Sequence, residues 1–272
     1  MNNIIVVRGA GDLATAVICK LHKSGYKIVA LEVEKPLAIR RQVAFSEAVY
    51  ENEWTVEGVT CKLCKGKNDI YQVLNDNKVA LIVDPNGIII SEIKPSAVVD
   101  AILAKKNLGT NKKMANLTIG LGPGFCAGED VDVVIETMRG HNLGKVISEG
   151  KPKENTGIPG VISGVSKERV VYSPCAGTVK NIKNIGDLVK KDEIITYIVD
   201  EEGKSHEVKA TIDGLLRGII RDGADVKCNL KILDIDPRIG EIKNSYTISD
   251  KGRCIAGGVL EAILSHGVLP IY

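Results

Sequence analysis

Apolar positions along the chain gather into short runs broken by polar turns, and their period changes past the middle. Ile4–Val7 is a β-branched run, Asp12–Ser24 carries the spacing of an amphipathic helix, and after Gly25 the run KIVALEV (Lys27–Val33) predicts a second strand. Strand, helix and strand in succession make a βαβ unit, with parallel pairing and the helix on one face. The pattern next predicts a helix over Leu37–Tyr50 and a third strand at Val79–Val83, closed by the turn DPNG. Pro95 opens a predicted helix in PSAVVDAILAKKN, and LTIGLGPGF (117–125) reads as a strand running into a glycine-proline turn. Residues 1–160 therefore read as one α/β domain.

The stretch ENTGIPGVISG (154–164), rich in turn formers, marks a boundary. Beyond it come short β-like pieces and an internal repeat. GTVKNIKNIGDLVKK (177–191) aligns without gaps on GLLRGIIRDGADVKC (214–228), matching Gly177 with Gly214, Gly186 with Gly223 and Val189 with Val226. Two copies are too few for a solenoid and predict a pseudo-twofold unit of two interlocked halves over 166–240. The tail, 241–272, holds the helical segment SDKGRCIAGGVLEAILSHG, expected to pack back on the first domain.

A net charge of +2 and 4% aromatic residues offer neither a phosphate-tracking groove nor a stacking platform, which argues against nucleic acid as a partner. No apolar stretch is long enough to span a bilayer, and the first residues run into a strand instead of a signal peptide, so a cytoplasmic protein without a membrane partner is expected. Seven cysteines then read as reduced thiols. Self-association is left open.

The first turn carries Gly9-x-Gly11-x-x-Ala14 between strand and helix, the G-x-G-x-x-A form of the dinucleotide fingerprint. The first glycine allows the tight turn, the second lets backbone approach a phosphate, and the small third residue lets helix pack on strand. A phosphate would rest on the N–H groups of the helix start, with Asp12 as a capping acid and Glu32, at the end of the next strand, on a ribose. A bare βαβ corner is the competing reading, and Arg8 stands where the pattern is usually apolar. Arg40 and Arg41 could fork onto a phosphate or lie on an exposed helix face. Gly122 and Gly124, in GLGPGF, form a second glycine turn at a strand end, and Asp130, Glu136, Arg139, His141, Asn155 and Thr156 are polar groups that could converge there. Cys61-x-x-Cys64 has redox spacing but no partner pair; Cys126 is a candidate thiol for transfer chemistry. His22, His206 and His266 read as surface residues.

The stretches VVRGAGDLATAV, AIRRQVAFSEAVYE, IGLGPGFCAGEDVDVVIETMRGHNLGKVI and NTGIPG closely resemble the selenium-dependent molybdenum hydroxylase system protein family (YqeB family) over essentially the whole chain. The resemblance implies an accessory or maturation factor for a selenium-dependent molybdenum hydroxylase, partnered by that apoenzyme or its maturation machinery. By analogy with related maturation factors it implies a molybdopterin dinucleotide form of the molybdenum cofactor as ligand. The alternative is an NAD(P)-dependent oxidoreductase in which Arg40 or Arg41 meets a 2′-phosphate. SPCAGTV followed by IGDLVKKDEI resembles biotinyl/lipoyl carriers, with Lys204 in VDEEGKSHEV at the place of the modified lysine but without the flanking methionines. The fold expected is thus α/β, a Rossmann-like parallel sheet domain followed by a small all-β biotinyl/lipoyl-like (barrel-sandwich hybrid) domain and a C-terminal helix.

Overall fold

The computed structural model describes residues 4–157, 160 and 164–270. The chain forms two compact units: residues 1–36, 44–156 and 248–272 make the first, and 37–43 and 157–247 the second. The expected boundary stretch 154–164 falls partly outside the described residues.

In the first unit the chain runs β1 (Ile4–Arg8), α1 (Asp12–Lys23), β2 (Lys27–Glu32), α2 (Ala48–Glu51), β3 (Glu53–Val56), β4 (Val59–Cys64), α3 (Lys67–Asn75), β5 (Val79–Val83), α4 (Ile88–Ile93), β6 (Ala97–Asp100), β7 (Leu117–Leu121), β8 (Val133–Ile135), β9 (Val146–Ile147) and, near the end of the chain, α5 (Asp250–Ser265). The strands form a nine-stranded sheet in the order β3-β4-β5-β2-β1-β6-β7-β8-β9. β4 to β8 of that order pair in parallel, while β3 and β9 close the two edges antiparallel. Near-continuous burial of β1, β6 and β7 follows from their place at the centre of the parallel part. Chain order reverses direction between β1 and β6, which puts the topological switch of the sheet there.

No helix lies in 101–116, between β6 and β7, or in the crossover from β7 to β8. That side of the sheet is covered instead by α5, which packs on α1, β8 and β9. Gly252 and Ala16 meet where the two helices touch, so closely that a Cβ on Gly252 would stand 2.9 Å from that of Ala16. Farther on, Tyr26, just past α1, donates its hydroxyl to the carbonyl of Val268, just past α5, at 2.6 Å. The two helices therefore run side by side in the same direction, their N-termini together at the carboxyl edge of the sheet.

The second unit contains β10 (Val170–Tyr172), β11 (Gly177–Asn181), β12 (Leu188–Val189), β13 (Ile194–Val199), β14 (Ser205–Lys209), β15 (Gly214–Ile219), β16 (Asp225–Val226) and β17 (Lys231–Asp236). They make two four-stranded antiparallel sheets, β10-β17-β15-β12 and β14-β13-β11-β16. The repeat explains the pairing. Gly177 pairs with Val226, and reciprocally their repeat mates Gly214 and Val189 pair with each other. Each copy thus lends its second strand to the other. A Cβ on Gly177 would run into the carbonyl of Val199, and one on Gly214 into that of Asp236, the residue at the matching place in β17. Val179, Ile195, Ile198, Leu216, Leu233 and Ile235 fill the space between the sheets, and Ile39 of the 37–43 segment packs on that core.

Three expectations are corrected. The fold is not a Rossmann-like parallel sheet followed by a biotinyl/lipoyl-like barrel: the large sheet is mixed, with antiparallel edges, and the second unit is a pair of separate antiparallel sheets. The helix predicted after Pro95 is strand β6, because four consecutive buried residues have no polar face to turn outward. The helix predicted over Leu37–Tyr50 breaks into two 3₁₀ turns, Arg41–Val43 and Phe45–Glu47, and the short α2. That segment passes from one unit to the other.

Gly177→Ala and Gly214→Ala should each destabilise the protein by about 1–3 kcal/mol, the cost of overpacking a closed site. Gly240→Ala, whose Cβ would meet nothing within 4 Å, should be near neutral. Urea midpoints of the three variants test this.

Candidate functional site

Strands β1, β2 and β6 each end in a charged residue, Arg8, Glu32 and Asp100, so the carboxyl edge of the sheet gathers charge at the switch. Arg8 and Asp100 are register partners and both are buried. The guanidinium lies 3.5 Å from the Asp100 carboxylate. It also donates to the Thr110 hydroxyl and to the carbonyls of Pro85 (3.2 Å) and Leu108 (3.3 Å). Thr110 in turn donates to Asp100 at 2.5 Å, and the other carboxylate oxygen accepts from Ile102 N–H. Arg8, unexpected from the fingerprint, thus ties together the loops that follow β5 and β6.

The first glycine turn grows directly out of this network. Gly9, at φ +96°, packs so that a Cβ would stand 3.0 Å from the Ala101 carbonyl, which makes it structurally obligatory. Gly11 is different. Its φ of −66° suits any residue, and a Cβ there would meet nothing within 4 Å. The backbone at the start of α1 is therefore open to approach. Ala14 is buried, as close helix-strand packing demands. Asp12 accepts from Leu13 N–H at 2.9 Å. Glu32 turns its carboxylate onto the chain, accepting from Ala10 N–H and Val33 N–H, both at 2.8 Å. Burial pushes this carboxyl above its ordinary value despite the two hydrogen bonds. Each of its oxygens keeps a second lone pair for a hydroxyl.

The second glycine turn closes on itself. A side chain on Gly122 would collide with Thr137, and one on Gly124 would stand 3.1 Å from the backbone of Lys106. Both are turn glycines. Buried Glu136 is spent on Met138 N–H and Lys153 N–H, at 2.8 and 2.9 Å, and Asp130 holds Cys126 N–H at 2.8 Å. Arg139 forks onto Asp250 at 2.7 and 2.9 Å, while His141, Asn155 and Thr156 are exposed.

Lys251, in the first turn of α5, is the residue the sequence reading missed. Its ammonium makes no hydrogen bond or ion pair among the described residues, and it is acted on by Arg139, Asp12, Glu136 and Asp250. Burial, then the charge of Arg139, holds it below the usual lysine value. A partly buried lysine thus stands among the carboxylates of Asp12, Glu136 and Asp250, without a hydrogen bond to any of them, at the start of α5.

Arg40 and Arg41 are not part of this edge: they belong to the second unit. Arg40 donates to the carbonyls of Asn244 and Thr247, at 3.0 and 2.9 Å, and Arg41 to that of Ile219 at 2.9 Å, which binds the 37–43 segment there. Cys61 and Cys64 stand three apart on β4 and so point to opposite faces, which excludes a shared disulfide or chelate. Burial raises both thiols, Cys64 to about 11, and raises that of Cys126 as well, aided by Glu129. None of the three is poised as a thiolate. No group of three or more His, Cys, Asp or Glu among the described residues could hold a metal ion. Lys204 is exposed on the turn between β13 and β14, its N–H held by Asp200, which also pairs with His206 at 2.7 Å.

No family model matches the chain. It is 47% identical over 263 residues, 97% of its length, to the "Uncharacterized protein YqeB" of Escherichia coli (strain K12). The chain is a homologue of YqeB. It spans about half, 48%, of that relative's length. Among solved structures it is similar to an aspartoacylase family protein of Mesorhizobium loti, at a TM-score of 0.29 and 10% identity over 85% of this chain and 84% of the other. It is likewise similar to a succinylglutamate desuccinylase/aspartoacylase of Rhodobacter sphaeroides, at 0.28 and 12% over 85% of each. Likeness at that level carries no activity over. No helix among the described residues is long and apolar enough to cross a membrane.

Two outcomes are expected. Removing one partner of the buried pair, by Arg8→Met or Asp100→Ala, should cost about 3–5 kcal/mol in equilibrium unfolding, because the other charge stays buried alone. Lys251→Met should melt higher than wild type at pH 7. A lysine held below 10.5 in the fold weakens the folded state while charged, so wild-type stability rises as pH climbs through that window and the gap should close there. A gap that stays constant with pH refutes this role for Lys251.

Proposed function

We propose that this chain is an accessory factor in the maturation of a selenium-dependent molybdenum hydroxylase and holds a nucleotide-bearing molybdenum cofactor at the turn between β1 and α1. It would act in the cytoplasm, with the apoenzyme or its maturation machinery as partner. The observation that carries the reading is Gly11, an open approach to a helix start, with the carboxylate of Glu32 fixed on the same turn and Lys251, which makes no hydrogen bond, near Asp12. Those residues fit a dinucleotide. Backbone N–H groups at the helix start would donate to the phosphate oxygens, Lys251 would add an ammonium to them, and the remaining lone pairs of Glu32 would accept from a ribose hydroxyl. When bound, the group would supply the molybdenum chemistry of the target enzyme. The chain's own residues bind and orient it. The sequence resemblance over VVRGAGDLATAV and the GPGF to IETMRGH stretch supports the same reading.

Gly11→Asp separates binding from folding. Its backbone angles suit aspartate, nothing is in the way, and aspartate is a better N-cap than glycine, so the variant should fold as stably as wild type. A ligand at about 100 times its Kd stabilises the folded state by about 2.7 kcal/mol. Thermal shifts with CTP, CDP and a molybdopterin dinucleotide preparation should appear in wild type and vanish in Gly11→Asp. If NAD or NADP alone shifts the protein, the oxidoreductase reading replaces this one. If nothing does, the turn is only a corner.

A further inference from the structure

The second unit carries a group of buried charges that its own pseudo-symmetry does not need. Arg217 on β15 and Arg169, just before β10, are 8% and 5% exposed, and Asp234 and Asp236 on β17 are as deeply buried. Arg169 donates to Asp234 at 3.0 Å. Arg238 forks onto Asp236 at 2.9 and 2.7 Å. With both carboxylates so engaged, Arg217 is left over: its nearest approaches to them are 4.0 and 3.9 Å, too long for hydrogen bonds.

Its Nε is buried without a hydrogen-bond partner, as is the Nε of Arg169. Buried donors of this kind are nearly always satisfied, so two in one group call for an acceptor.

The repeat supplies an internal control. At the matching places in the other copy stand Lys180, exposed, and Tyr197 and Val199. That copy builds the same strands in regular register, whereas β15 slips against β17 between Leu216 and Gly218, so that Arg217 is the extra residue of a bulge. Bulges re-aim side chains next to sites. The charges and the bulge are additions to a fold that stands without them.

We propose that Arg217 and Arg169 form a binding site for a small monoanionic carboxylate, received by the two Nε–H donors that have no partner. Arg238, the more exposed member, lies on the side open to solvent. The test is calorimetric melting of the whole chain in sodium acetate, sodium phosphate and sodium chloride at equal ionic strength. Acetate at saturating concentration should raise the melting temperature by about 2–4 °C over chloride. Arg217→Met should abolish that rise, and the surface variant Lys227→Met should keep it. Absence of an acetate effect in wild type overturns the proposal whatever the variants do. A response confined to phosphate overturns the carboxylate assignment, and one that survives Arg217→Met reveals an adventitious ion only.

Discussion

A buried ion pair at the middle of the large sheet is the constraint on which the candidate site depends. Two charges taken out of water are costly unless nearly every donor and lone pair is matched. Arg8 meets that demand by reaching Thr110, Pro85 and Leu108 as well as Asp100, and so draws the loops after β5 and β6 onto the end of β1. Gly9 follows immediately and is pressed against Ala101, the residue after Asp100. The course of the first glycine turn is therefore set by a charge pair beside it. What remains open at Gly11 is the part of the turn that this network leaves alone.

Around that turn the chain has assembled charge with unequal care. Glu32, Glu136 and Asp130 are bound to main-chain N–H groups, and Arg139 is matched by Asp250. Lys251, half-buried at the start of α5, has the carboxylates of Asp12, Glu136 and Asp250 around it but no hydrogen bond to them. The second unit shows the same economy on a different scaffold. Its repeat generates two sheets by reciprocal strand exchange, and only one copy departs from the shared pattern, at Arg217.

Much of the fold was legible where the apolar pattern had one reading. The strands β1, β2 and β5, the glycine turn and the repeat all rest on local signals, and the strand exchange follows from matching glycines and valines. The pattern failed where a short apolar run admits two periods. Ala97–Asp100, after a proline, looks like a helix start and is a central strand because neighbours cover both of its faces. The β3–β4 hairpin and β9 escaped notice because edge strands are short and half-exposed. Of the site residues, Gly9, Gly11, Ala14 and Glu32 lie within one βαβ unit and could be read together. Asp100, Thr110 and Lys251 could not, because they come to the same edge from distant parts of the chain.

By itself, then, the sequence determined the elements that depend on neighbours along the chain: the first βαβ unit with its two glycines, and the duplicated halves of the second unit, since helix and strand periods and turn chemistry are local. Only the tertiary structure decided which groups are spent and which are free. Arg40 and Arg41 could have been ligands and serve as ties, Cys61 and Cys64 have redox spacing and face apart, and Lys251 and Arg217 looked ordinary and are partly or wholly buried with hydrogen bonds unmade. Burial and pairing are properties of a packed neighbourhood, and no local pattern encodes them.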